Sequence, residues 1–145
     1  ITFNGSATPA ALAQWAAACD RADDQVTRAR LVRELVGIDD LPDELTVSLY
    51  RIVQESLTNA LRHGSPQRVT VSLARTAGAC TLTIEDDGEG RERSTAGSGL
   101  GVLGMNERVA ALGGRFSLTP RQPRGMAVRA EFSAGAMGIR GTDDA

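Results

Sequence analysis

The stretch GSGLGVLGM, which runs from Gly97 to Met105, decides the fold class of this chain. Within it Gly99, Gly101 and Gly104 have the G-x-G-x-x-G spacing that is usually interpreted as a dinucleotide-binding turn. Three interpretations compete: a Rossmann phosphate turn, a chance cluster of glycines, or the glycine-rich loop of a different nucleotide-binding fold. The rest of the chain distinguishes among them.

The composition is that of one globular domain. The chain has 145 residues, of which 41% are hydrophobic and 23% are charged, enough to bury a core. A net charge of −2 gives no electrostatic reason to expect direct binding to nucleic acid or to an anionic membrane. All 16 basic residues are arginine, so the lysine that a Walker P-loop or a eukaryotic-type protein kinase requires is absent from the sequence.

The sequence also predicts the compartment. It contains no apolar run of about 18 residues and no basic-then-apolar leader, so we expect a soluble, cytoplasmic domain. Cys19 and Cys80 lie within apolar patterns and lack the spacing of a metal site. Both are therefore predicted to be buried thiols in a reducing environment.

Two segments precede the centre of the chain. Thr8 and Pro9 are typical of a helix start, and apolar residues follow at helical spacing from Leu12 to Cys19, so residues 1–24 are predicted to be a helical lead-in. The next segment, Gln25–Val36, mixes apolar, β-branched and arginine residues without a clear period. We favour a strand near Ala29–Val36.

The centre of the chain predicts a long helix and a hairpin. Asp40–Asp43 is a plausible helix start, and one face then stays largely apolar until Gly64–Pro66 ends the helix. Residues 69–73 and 80–84 alternate between apolar and polar residues on either side of a turn, which is typical of an antiparallel hairpin. The same alternation places Asp86 on the buried side, where a carboxylate is unusual.

The last third is predicted to be a glycine-rich loop, a short helix, two strands and a tail. The loop begins at Gly88 and leads into a helix that starts near Met105 and ends at Gly113 or Gly114. Strands are predicted near Arg115–Leu118 and Met126–Phe132, and residues 134–145 are predicted to be a disordered tail. Residues 25–133 would form the main domain.

A Rossmann turn does not fit this order. Its fingerprint directly follows a strand, whereas the residues before Gly97 are polar and show no strand pattern. A hairpin followed by a late pair of strands favours an α+β fold with antiparallel pairing.

Three ordered stretches resemble one family. They are YRIVQESLTNALRH from Tyr50 to His63, IEDDGEG from Ile84 to Gly90, and GLGVLGMNERV from Gly99 to Val109. In this order they resemble the N, G1 and G2 boxes of the Bergerat-fold (GHKL) ATPases. Their residues are similar to those of the catalytic domain in bacterial sensor histidine kinases of the nitrate and hexose-phosphate sensor subfamily.

This resemblance implies a two-layer α/β sandwich with a mixed, mostly antiparallel sheet and helices on one face. It also implies that the domain binds ATP and Mg²⁺ and positions them for phosphoryl transfer to a histidine. That histidine would lie on a dimerisation domain preceding Ile1, in a homodimeric parent that would pass phosphate to a response regulator. The resemblance leaves open whether the parent is anchored in the inner membrane. The alternatives are another GHKL ATPase, such as a chaperone-type or anti-sigma-factor serine kinase, or a degenerate nucleotide-binding interaction module.

The resemblance also assigns roles on the central helix. Glu55 would be catalytic, orienting the reactants or accepting a proton, and the side-chain carbonyl of Asn59 would bind Mg²⁺. Arg62 would contact phosphate, and at about 100° per residue these side chains share one side of the helix with His63. His63 is the single histidine of the sequence, and the motif places it in the ATP pocket and not in the role of phosphoacceptor.

In the glycine boxes, Asp86 would accept a hydrogen bond from the adenine 6-amino group, while Gly88 and Gly90 let the backbone turn beneath the base. Four further glycines would form the phosphate-binding end of an ATP lid that leads into the helix near Met105: Gly97, Gly99, Gly101 and Gly104.

Three residues depart from the family's usual pattern. Val102 stands where leucine is usual and Asn106 where arginine is common, and both changes are conservative for binding. Met126 follows Gly125 where a threonine is frequent, which removes a hydroxyl near the expected adenine position.

Overall fold

In a computed structural model of the chain, the residues described are 5–21, 24–36, 41–63, 66–75, 79–88 and 99–133. The elements along this part are β1 (Gly5–Ala7), α1 (Pro9–Arg21), α2 (Gln25–Val36), α3 (Asp43–His63), β2 (Val69–Arg75), β3 (Ala79–Asp86), α4 (Gly99–Ala111), β4 (Arg115–Pro120) and β5 (Met126–Ser133).

The strands form one sheet in the order β1-β2-β3-β5-β4, and each neighbouring pair in the described chain is antiparallel. Alternate residues are buried, so that Leu82 of β3 lies between Leu73 of β2 and Ala130 of β5 on one face. The other face carries half-buried or exposed residues such as Thr83 and Arg129. The sheet therefore has one apolar face, and the predicted α+β class is confirmed. The expected mixed sheet is corrected to an antiparallel one among the described strands, because each neighbouring pair runs in opposite directions.

The helices pack their apolar sides into a core with that face. Among the largest fully buried side chains are Leu12 of α1, Leu35 of α2, Leu49 and Ile52 of α3, Met105 of α4, Leu82 and Phe132. The core thus contains residues from four helices and three of the strands. Burying each large aliphatic side chain contributes about 1.5–3 kcal/mol to folding.

Helix α3 is the predicted central helix, and its start is held by α2. Asp43 and Glu44 lie in its first turn, where carboxylates interact favourably with the helix dipole. Arg33 of α2 donates through Nη2 to Asp43 Oδ1 at 2.7 Å and through Nε to the Leu41 carbonyl at 2.9 Å. These contacts fix where the chain enters α3.

The strand predicted near Ala29–Val36 is wrong, because the segment is helical. Ala29, Val32 and Val36 are all buried, at a spacing of three and four residues that only a helix places on one face. Asp24 caps this helix, its Oδ1 accepting a hydrogen bond from the Thr27 amide at 2.7 Å. Packing on α3 outweighs the β preference of the valines.

Helix α4 begins six residues earlier than the predicted start near Met105. Gly99, Gly101 and Gly104, predicted to be loop, lie within it. Glycine disfavours a helix by about 1 kcal/mol relative to alanine, which is why the sequence suggested a loop. The buried side chains of Met105 and Val109 anchor the helix in the core, and extending an existing helix is far easier than starting one.

The N-terminal segment is only partly as predicted. Helix α1 is confirmed, with Thr8 Oγ1 accepting from the Ala11 amide at 3.2 Å, and Leu12 and Trp15 buried. Strand β1, which pairs with β2, was missed because three residues show no alternation. The division into lead-in, main domain and tail stays a prediction, and residues 134–145 lie outside the described part.

Cys80 is buried as predicted, and burial raises the pKa of its thiol to about 11. The side chain of Cys19 lies outside the described residues.

Among the helices that the structure describes, none has both the length and the apolarity needed to cross a bilayer.

Candidate functional site

Asp86 is the last residue of β3, and its carboxylate lies on the core side of the sheet as the alternation predicted. It is 7% exposed. Its Oδ1 accepts a hydrogen bond from the amide of Gly88 at 2.9 Å, and Gly88 is itself buried. The structure therefore brings together two of the predicted site residues, an acidic side chain and a glycine backbone, at the end of a central strand.

The neighbouring carboxylate has a different role. Asp87 Oδ1 accepts hydrogen bonds from the amides of Arg68, at 3.0 Å, and Gln67, at 2.8 Å, just before β2. These amides, that of Arg68 above all, hold the pKa of Asp87 below its usual 3.8. Asp87 thus ties β3 to β2, and of the two adjacent aspartates it is Asp86 that lies on the buried face.

The turn between β4 and β5 contacts the same segment, Asp86–Gly88. Arg121 donates through Nη1 to the Asp86 carbonyl at 2.9 Å, and Arg124 donates through Nε to the Gly88 carbonyl at 3.3 Å. Gly125 has a φ of 103°, and a Cβ there would overlap the carbonyl group of Asp86. The β4–β5 turn therefore lies directly against Asp86 and Gly88.

The predicted helix residues lie on the C-terminal half of α3. Glu55 and Asn59 are half-buried, and Ser56 between them is buried and donates to the thioether sulfur of Met105 at 3.6 Å. Because Ser56 and Asn59 are three residues apart, they lie on neighbouring positions of the helix surface. The contact with Met105 brings this surface next to the middle of α4, directly after Gly104.

Arg62 and His63 are in the last turn of α3, and their side chains lie outside the described part of the structure. Gly90 and Gly97 also lie outside it. Gly99 and Gly101 are in the first turn of α4, where backbone amides have no partner within the helix, and Gly104 follows one turn later. The lid glycines near α4 are thus part of a helix N-terminus.

Sequence reasoning missed Arg121 and Arg124, whereas the family pattern had already placed the pair Gly125–Met126 near the expected adenine position. A glycine between two predicted strands indicates a turn, so the sequence could have predicted the turn itself. Nothing local in the sequence indicates that this turn contacts a segment about 35 residues earlier, since that proximity arises from the pairing of β3 with β5.

The model of the histidine kinase-, DNA gyrase B- and HSP90-like ATPase family matches residues 44–136, which contain α3, the segment at Asp86 and α4. The chain belongs to this family.

Its relatives are sensor kinases. Sensor histidine kinase LnrJ of Bacillus subtilis is 41% identical over 93 residues, covering 64% of this chain and 23% of LnrJ. The histidine-protein kinase/phosphatase UhpB of Salmonella typhimurium is 37% identical over 79 residues, covering 54% of this chain and 16% of UhpB. The chain thus spans less than a quarter of the length of either relative, and it corresponds to their ATP-binding catalytic domain.

Solved structures support the same fold. The histidine kinase domain of the Erythrobacter litoralis EL346 blue-light kinase aligns with a TM-score of 0.55 and 26% identity, over 68% of this chain and 47% of that one. The ATP-binding domain of PrrB from Mycobacterium tuberculosis aligns with a TM-score of 0.52 and 22% identity, over 61% and 68%. The latter likeness concerns the fold alone.

We predict that Gly125→Ala destabilises the chain more than Gly113→Ala. Both glycines have positive φ, but a Cβ on Gly113 meets open space, whereas one on Gly125 overlaps the Asp86 backbone. Backbone strain alone should lower the free energy of unfolding by about 1–2 kcal/mol for Gly113→Ala, and overlap should add about 1–3 kcal/mol for Gly125→Ala. Urea unfolding measures both, and equal losses would contradict the close approach of the turn.

Proposed function

We propose that this chain binds Mg·ATP and presents its γ-phosphate to a histidine on a separate dimerisation domain, as the catalytic part of a two-component sensor kinase. The single observation that carries the proposal is the buried Asp86 carboxylate at the end of β3, in a chain of an ATPase family. The parent would be a homodimer that passes phosphate to a response regulator.

Asp86 and the backbone at Gly88 would bind the adenine base of the nucleotide. A carboxylate accepts several hydrogen bonds, and the 6-amino group of adenine can donate one to it, whereas guanine has a carbonyl at that position. The hydrogen bond from the Gly88 amide to Oδ1 holds the carboxylate in one orientation. The buried backbone at Gly88 offers the base a surface without a side chain, and Gly90 would extend it.

The metal and phosphates are the second part. Asn59 carries a side-chain carbonyl oxygen, a hard donor that suits Mg²⁺, and it is half-buried beside the surface of α3 that contacts α4. The amides in the first turn of α4, at Gly99 and Gly101, have no acceptor within the helix itself and suit phosphate oxygens, with Gly97 and Gly104 on either side. Bound Mg²⁺ would supply neutralisation of the phosphate charge.

The remaining assignments concern transfer. Arg62, in the last turn of α3, would contact phosphate, and Glu55, two turns earlier, would orient the acceptor or take its proton. The attacking histidine nitrogen forms a bond to the γ-phosphorus, the bond to the bridging oxygen breaks, and ADP leaves. This chain's share is positioning and charge neutralisation.

We predict that Asp86→Asn weakens ATP binding by about tenfold or more, because the charged acceptor is lost while the shape is kept. The wild-type chain should bind ATP more tightly than GTP. Asp87→Asn is the matched control, because the amide oxygen of asparagine can still accept from the Gln67 and Arg68 amides, so the segment stays held and ATP affinity should be unchanged. Calorimetry measures the affinities, and equal ATP and GTP affinity in the wild type would refute the assignment of Asp86.

The Asn59→Ala variant should weaken ATP binding with Mg²⁺ far more than ATP binding in the presence of a chelator, because the proposed contact is to the ion. Thr58→Ala is the control on the adjacent position, where the hydroxyl donates to the Gln54 carbonyl of its own helix at 2.9 Å. Similar losses with and without Mg²⁺ would remove Asn59 as a ligand.

We predict that the chain alone does not label itself with ATP radioactive at the γ-phosphate. His63 is the single histidine, and α3, which carries it, is fixed in the core by Leu49, Ile52 and Leu57. Acid-labile label should appear only on an added histidine-bearing dimerisation domain. Acid-labile label on the isolated wild type that His63→Ala abolishes would overturn this division of roles, and acid-stable label on serine would favour the serine-kinase alternative.

A further inference from the structure

We propose that the β4–β5 turn, Arg121–Gly125, fixes the direction of the Asp86 carboxylate, and that Arg121 and Arg124 are positioning residues for recognition of the purine 6-amino group. The inference rests on the role proposed above for Asp86. It assigns a part in base specificity to a turn that lies outside the three sequence motifs.

The turn is a rigid unit. The backbone amide of Arg121 donates to the carbonyl of Gly125 at 2.8 Å, which closes the turn on itself. Gly125 has a φ of 103° and no side chain, and both properties are needed for the turn to lie against the Asp86 carbonyl. The turn therefore presents its two arginines from a fixed position.

Those arginines bind the backbone on either side of a small hydrogen-bonded ring. The Asp86 carboxylate is bonded to the amide of Gly88, which closes a ring of side-chain and backbone atoms. Arg121 binds the carbonyl of Asp86, and Arg124 binds the carbonyl of Gly88. Fixing the backbone at both ends of the ring fixes the side chain that closes it.

Glycine at position 88 makes this support necessary. Without a Cβ its backbone has wide conformational freedom, so the peptide that holds the carboxylate is free to rotate unless something binds it. On the β2 side the chain is held through Asp87, whose Oδ1 accepts from two amides. On the β5 side the described hydrogen bonds come from Arg121 and Arg124.

The consequence is specific to the base. A hydrogen bond weakens steeply as its angle departs from linearity, so a carboxylate with more freedom binds the 6-amino group less well. A nucleotide with a carbonyl at the 6-position has no donor on that atom, so it should lose less affinity when the carboxylate gains freedom. Removing the arginines should therefore reduce discrimination between bases more than it reduces nucleotide affinity in general.

The test measures the affinity of the whole chain for ATP and for inosine triphosphate, which has a carbonyl in place of the 6-amino group. Arg121→Met keeps the aliphatic stem and removes the donors. We expect it to raise the Kd for ATP by about threefold to tenfold, the range of one hydrogen bond, and to leave the Kd for inosine triphosphate within about twofold. Arg124→Met should have a smaller effect, because its bond is longer.

Two controls separate positioning from folding. Arg121→Lys retains a donor on a flexible stem and should restore most of the wild-type preference for ATP. Arg115→Met removes an exposed arginine at the other end of β4 and should change neither affinity.

The outcomes are distinct. A proportional loss for both nucleotides in Arg121→Met would show a phosphate contact or a folding defect and overturn the inference. Unchanged affinities would overturn it too. A wild-type chain that does not prefer ATP would refute the proposed role of Asp86 itself, whereas a wild-type preference that survives in Arg121→Met refutes only the role of the turn.

Discussion

The structure depends on the burial of one face of α3 against the apolar face of the sheet. That helix has 21 residues, and Leu49, Ile52 and Val53 on its packed side are essentially inaccessible to water. Helices α1, α2 and α4 all contact α3, and α3 itself contacts β3. Because the helix is fixed along one side, the orientation of its other positions, including Glu55 and Asn59, is fixed as well.

The candidate site is assembled where elements end. Asp86 closes β3, Gly99 opens α4, and Arg62 and His63 close α3. Backbone groups at such places lack partners within their own element, and at the end of β3 the carbonyls of Asp86 and Gly88 are bound instead by Arg121 and Arg124. The apolar side chains of the core support these ends, and they are a different set from the residues proposed to bind nucleotide.

Asp86 and Asp87 illustrate how alternation along a strand separates two identical side chains. One carboxylate lies on the core side and is held by a glycine amide, while its neighbour bonds the backbone before β2. The first is the proposed acceptor for a ligand, and the second fixes the strand pair. A turn from β5 completes the surroundings of the first, so three strands cooperate around a single acceptor.

The sequence by itself determined the α+β class, the extent of α3, the hairpin of β2 and β3 and the burial of Asp86, because each depends on a local period or on a motif of adjacent residues. It did not determine α2, where β-branched residues suggested a strand and packing on α3 imposed a helix. The sequence also placed the start of α4 too late, because glycines disfavour a helix and therefore suggested a loop. In the structure these glycines form the first turns of a helix that the buried side chains of Met105 and Val109 anchor in the core. Only the tertiary structure could bring Arg121 and Arg124 to the backbone of Asp86 and Gly88, because the pairing of β3 with β5 joins residues more than about 40 positions apart through interactions that no local pattern records.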